Sequence, residues 1–86
     1  MTLSVGFAGM THLGLVYSAA TASKNLNVIC YDNNPTLISN INSGLIPVME
    51  EGLSEIINEN GTRQKFTHEL KSLANCDVVY ISADVP

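Results

Sequence analysis

The chain has 86 residues, enough for one domain or part of one and short of the ~100 to 150 typical of independent domains. With 45% apolar and 14% charged residues it has the composition of a folded α/β domain and not of a disordered segment. Four Lys and Arg against eight Asp and Glu give a net charge of -4, so there is no basic patch to neutralise a phosphate backbone, and nucleic acid is excluded as a partner.

The apolar run Leu3 to Ala8 predicts a first strand, and the small residues after Gly14 predict a helix. Residues 3 to 22 are mostly apolar and end in Ala20-Thr21-Ala22, which superficially resembles a leader-peptide cleavage site. No basic residue precedes Leu3, and Thr11 and His12 interrupt the run, so neither a leader nor a membrane span is expected. A second strand runs from Asn27 to Tyr31. Asn34 and Pro35 then supply an N-cap and a first-turn proline for a helix with Leu37, Ile38 and Ile41 on one face, ending before Gly44. After a loop from Leu45 to Met49, Glu50 and Glu51 suit the start of a helix carrying Leu53, Ile56 and Ile57, closed by Gly61. Lys65 to Thr67 reads as a short third strand, and His68 to Leu73 as a helix capped by Thr67. Val78 to Ala83 is a fourth strand whose near-continuous apolar run suits a sheet covered on both faces. The expected fold is therefore α/β, a Rossmann-type parallel sheet in the order 3-2-1-4 with helices on both faces, truncated after the fourth strand.

The turn between the first strand and first helix reads Gly9-Met10-Thr11-His12-Leu13-Gly14. Gly9 permits a sharp reversal and Gly14 a close packing of helix on sheet. The first N–H groups of the helix then lack backbone partners and, with the positive end of the macrodipole, favour a pyrophosphate. Asp32 lies 18 residues past Gly14, at the end of the second strand, where a carboxylate can accept hydrogen bonds from a ribose diol. The same charge repels a 2′-phosphate, and Asn33 and Asn34 follow where an NADP site would favour Arg, so NAD is the expected cofactor. Thr11 stands where the middle glycine of GxGxxG would be, and its side chain either crowds the pyrophosphate or donates to it. A tight turn without any ligand is the alternative reading of these six residues.

Cys30 and Cys76 fall within or beside apolar strands with no CxxC spacing, and read as packing thiols of a reducing cytoplasm. His12 and His68 lack metal spacing; His68 reads as a solvated first-turn helix residue, and His12 adds partial positive charge at the phosphate turn.

Taken together, these motifs make the chain resemble the N-terminal NAD-binding half of the UDP-glucose and GDP-mannose dehydrogenases. GMTHLGL at 9 to 15 stands where that family has a GxGYVGL-like turn, and YDNNP at 31 to 35 matches its strand-end Asp. The segment from Asn42 to Glu55 is similar to NxGxxPIxEPGLxE, the most specific part of the likeness; Arg63 to Thr67 and Cys76 to Ile81 resemble GRLxFT and ADVVFI. Departures are His12 for Tyr, Thr11 for Gly, Leu37 for a Lys or Arg near the adenosine, Glu51 for Pro, and Ala83-Asp84-Val85-Pro86 for a VPTP-like ending.

The resemblance implies a cofactor site made by Gly9, Met10, Thr11, His12, Leu13, Gly14, Asp32 and Asn33, with Ala83 and Val85 at the end of strand four. It also implies oxidation of a nucleotide sugar's primary alcohol to a carboxylate by two hydride transfers to NAD, through a thioester on a Cys assisted by Lys, Asn and Asp. Those residues belong to segments past Pro86, so residues 1–86 are expected to be the N-terminal part of a dinucleotide-binding domain, meeting the nucleotide sugar only through a downstream region. The other class of function is a stand-alone or degenerate Rossmann module that binds a nucleotide or serves assembly without catalysis. In either case the outer edge of strand four is expected to be covered by a second copy or by downstream residues, and the chain to form a homo-oligomer.

Overall fold

The computed structural model describes residues 3–47 and 50–82. Its centre is a four-stranded sheet in the order β3-β2-β1-β4, formed by β1 (Ser4–Ala8), β2 (Asn27–Tyr31), β3 (Gln64–Thr67) and β4 (Val78–Ile81). Every pairing is parallel, with Phe7 opposite Cys30 on one side and Tyr80 on the other. The expected architecture is thus the one observed.

Helix α1 (His12–Ala22) fits on the sheet because its inward residues are small: Gly14, Ser18, Ala19 and Ala22 are buried alongside Leu15. Helix α2 (Pro35–Asn42) starts as expected, with the Asn34 side chain accepting from the N–H groups of Thr36 and Leu37. Helix α3 (Leu53–Asn60) follows Gly52, which sits at φ 81°. α2 and α3 form a groove with Gln64 and Phe66 of β3, on the face that α1 also covers. The opposite face, at Gly6, is packed by Leu73, Cys76 and Val79; a Cβ on Gly6 would come within 2.8 Å of Leu73.

A buried polar network joins three elements. Asn60 Nδ2 donates to the Ala19 carbonyl at 3.0 Å and to Gln64 Oε1 at 2.8 Å, while Gln64 Nε2 donates to Ser18 Oγ at 3.0 Å. Arg63 Nε adds a bond to the Ala22 carbonyl at the end of α1. Because all three side chains of the network are buried and partnered, it locks α1, α3 and β3 into one arrangement, at a cost if any member is lost.

Three expectations are corrected. The segment after β3 is a 3-10 helix over Leu70–Asn75, not an α-helix over 68 to 73. Thr67 Oγ1 accepts from the Glu69 N–H in a local turn instead of capping a helix, and His68 is exposed ahead of the helix. The tighter helix rises about 2.0 Å per residue against 1.5 Å, which carries the chain within six residues to Asp77, pinned by two 2.8 Å bonds to Ser4. Strand β4 ends at Ile81, so the Ala83 end of the expected strand lies outside the described residues. Finally, β4 is not covered on both faces: Val78, Val79, Tyr80 and Ile81 are all exposed, Ile81 at 81%. Tyr80 stacks on Phe7, their ring centroids 5.4 Å apart.

Candidate functional site

The turn from β1 into α1 is built by two glycines in different ways. Gly9 takes φ 102°, a conformation that L side chains avoid, and its N–H donates to the Tyr31 carbonyl at 2.7 Å. At Gly14 the constraint is space: a Cβ there would lie 2.1 Å from the Gly9 carbonyl oxygen. Helix and strand consequently approach as closely as two backbones can.

Thr11 is the helix N-cap, with extended backbone at φ -73° and ψ 179°. A conformation of that kind does not require glycine. Its hydroxyl accepts from the Gly14 N–H at 3.2 Å and donates to the Ser82 carbonyl at 3.3 Å, tying the start of α1 to the end of β4. The N–H groups of His12 and Leu13 have no acceptor among the described residues. Together with the positive end of α1 they offer donors to an anion.

Asp32 comes to the same turn from β2. Its Oδ2 accepts from the Met10 N–H at 2.8 Å and its Oδ1 from the Asn34 N–H at 3.0 Å. Each oxygen keeps a lone pair for a further donor, so the carboxylate is held in place without being used up. Asn33 beside it is exposed, as are His12 and Leu13, whereas Met10 is buried in the core. The structure thus brings Gly9 to Gly14 and Asp32 together; Ala83 and Val85 lie outside the described residues.

One contact at this turn was not legible beforehand. His12 Nε2 lies 2.8 Å from Glu50 Oε2, although 38 residues separate them. The sequence suggests a helix start at Glu50, but α3 begins at Leu53, and the carboxylate reaches across to the first residue of α1 instead. No spacing rule links the two positions. The signal in the sequence is that His12 stands where the resemblance has Tyr and that two acids, Glu50 and Glu51, precede Gly52. Glu50 also borders a cleft of about 670 Å³ lined by Leu37, Asn40, Leu45, Ile46 and Pro47.

The cysteines take no part. Burial, partly offset by hydrogen bonds from Ser18 and Gln64, pushes the Cys30 thiol up to about 11, and burial followed by the Asp77 charge raises that of Cys76. Both are free thiols, and among the described residues no cluster of His, Cys, Asp or Glu could hold a metal ion. No helix among them is long and apolar enough to cross a membrane.

A tightly packed glycine turn, free N–H groups at a helix start and a strand-end carboxylate form a set that a dinucleotide fits. Known proteins agree with that geometry. The Bacillus subtilis protein YtcA is 34% identical over 85 residues, and the UDP-glucose 6-dehydrogenase of Rhizobium meliloti is 32% identical over 87; each alignment covers 98% of this chain and 20% of the relative. The chain therefore spans about a fifth of the length of the curated relatives it matches. Among solved structures, GDP-mannose dehydrogenase of Pseudomonas aeruginosa superposes with a TM-score of 0.87 at 26% identity over 95% of this chain and 20% of that one. UDP-D-ManNAc dehydrogenase of Pyrococcus horikoshii shares the fold, with a TM-score of 0.89 at 24% identity over 93% of this chain and 20% of that one. Residues 3–86 match the NAD-binding domain of the UDP-glucose/GDP-mannose dehydrogenase family, and the glycine turn, the strand-end Asp32 and the 3-2-1-4 sheet are those of a chain that belongs to it, with NAD as the domain's cofactor.

Proposed function

We propose that residues 1–86 form the N-terminal part of the dinucleotide-binding domain of a nucleotide-sugar 6-dehydrogenase of the UDP-glucose type. In that reaction a sugar primary alcohol is oxidised to a carboxylate in two two-electron steps, water supplying the second oxygen. NAD accepts one hydride in each step. The observation that carries the reading is the 2.8 Å bond from the Met10 N–H to Asp32, which holds a ribose acceptor against the phosphate turn.

The chain's own residues bind and orient. The N–H groups of His12 and Leu13, at the positive end of α1, attract the pyrophosphate, and Gly14 lets the start of α1 pack directly on the Gly9 peptide that shapes the turn. Asp32 accepts from the ribose diol and repels a 2′-phosphate, favouring NAD over NADP, with Asn33 beside it. Leu37, in the wall of the 670 Å³ cleft, occupies the position that the resemblance puts near the adenosine. Ala83 and Val85, which follow Ser82 in the sequence, are the positions at this end that the resemblance assigns to the cofactor site. The nucleotide sugar is met through other segments of the whole protein. Free thiols at Cys30 and Cys76 suit the reducing cytoplasm, and the exposed apolar β4 suits a homo-oligomer. The uronic acid product suits polysaccharide biosynthesis.

Calorimetric titration with NAD and NADP tests the reading. Asp32→Ala is expected to weaken NAD binding by about tenfold or more, the range for a hydrogen bond to a charged group, and to narrow the preference over NADP. Unchanged NAD affinity would remove Asp32 from the site.

A further inference from the structure

We propose that Glu50 is an internal counter-anion for the phosphate turn: it holds the His12 ring in the free protein, and cofactor entry requires His12 to exchange the Glu50 carboxylate for a cofactor phosphate. The proposal rests on the reading of residues 9 to 14 as a pyrophosphate site. Its own evidence is the 2.8 Å contact between His12 Nε2 and Glu50 Oε2.

Three properties make this contact an exchangeable one. A carboxylate only accepts, so Nε2 carries the hydrogen that faces Glu50, and the same N–H serves a phosphate oxygen without a change of tautomer. Both side chains are about half exposed, 56% for His12 and 46% for Glu50, so the pair is worth little and opens cheaply. His12 is also the first residue of α1, next to the unpartnered N–H groups, so a carboxylate docked there occupies the electrostatic position of an anionic ligand. Glu50 reaches that position from a segment outside any helix or strand, one turn ahead of α3.

The exchange predicts a gain of affinity from loss of a contact. Removing one exposed charge beside a pyrophosphate changes affinity by roughly threefold to tenfold. Glu50→Gln should therefore tighten both NAD and inorganic pyrophosphate by that factor in calorimetric titration. Glu51→Gln removes the same charge one residue away, without the contact to His12, and should give a smaller gain. In a His12→Phe background the Glu50→Gln gain should shrink to that of Glu51→Gln, because no ring N–H is left to release. In the free protein, the His12 ring resonances should move in Glu50→Gln while those of His68 stay put. That last reading needs no ligand.

A Glu50→Gln variant that binds NAD no better than the parent, or no better than Glu51→Gln, overturns the exchange while leaving the cofactor site intact. So does a gain that persists undiminished with Phe at position 12, or a His12 ring that ignores the substitution. If neither NAD nor pyrophosphate binds any variant, the cofactor reading itself falls, and the exchange with it.

Discussion

Gly14→Ala sets two effects of known size against each other. Gly14 lies inside α1, where replacing glycine by alanine normally stabilises a helix by about 1 kcal/mol. Here the added methyl would stand 2.1 Å from the Gly9 carbonyl oxygen, more than an ångström inside ordinary contact, and 3.2 Å from Ser82 Cβ. The nearer obstacle is the Gly9 peptide itself, so no side-chain rotation relieves the clash. Either α1 lifts off β1, loosening Leu15, Ser18, Ala19 and Ala22, or the Gly9 peptide turns and loses its 2.7 Å bond to Tyr31. Overpacking costs about 1 to 3 kcal/mol when a site can adjust, and a rigid one belongs at the upper end. Set against the helix gain of about 1 kcal/mol, the net expectation is a loss of about 2 kcal/mol, a sizeable part of the ~4 to 13 kcal/mol available to a domain of this size. Urea denaturation followed by far-ultraviolet circular dichroism measures it. Gly52→Ala is the internal comparison: it has φ 81° but nothing within 4 Å, so it should cost only the ~1 to 2 kcal/mol of the left-handed backbone. A Gly14→Ala protein as stable as the parent, or more stable, would refute the close approach of α1 and β1.

Thr11→Gly removes both the cap on Gly14 and the tie to Ser82, and should cost about 1 kcal/mol in the same denaturation assay, with Thr11→Ser restoring most of it. Gln64→Leu strands Asn60 Nδ2 and Ser18 Oγ on one side each, and a loss of about 1 to 3 kcal/mol in urea midpoint analysis is expected. Because the Cys30 thiol is raised to about 11 and stays protonated at pH 8, iodoacetamide at that pH should alkylate Cys76 first and reach Cys30 only after denaturation. Mass mapping of the labelled peptides checks the order.

Local chemistry makes much of this protein legible in its sequence. Asn34 and Pro35 capped α2 as their side chain and ring dictate, and Gly9 turned where only a residue without Cβ turns easily. Alternating apolar strands and helical patterns led to the parallel 3-2-1-4 sheet, because few other topologies bury such segments. Three things were decided only by tertiary packing. The segment after β3 became a 3-10 helix because Asp77 had to reach Ser4, a distance that its own residues do not encode. Thr11, which sequence alone left as either an obstacle or a phosphate donor, became the link from α1 to β4 because Ser82 presents a carbonyl there. The pairing of His12 with Glu50, and of Gln64 with Ser18, joins residues far apart in the chain whose hydrogen-bonding capacity is satisfied by many partners equally well. A residue's type states what it can donate or accept, whereas the partner it meets depends on where two distant backbones are brought by burial of the core.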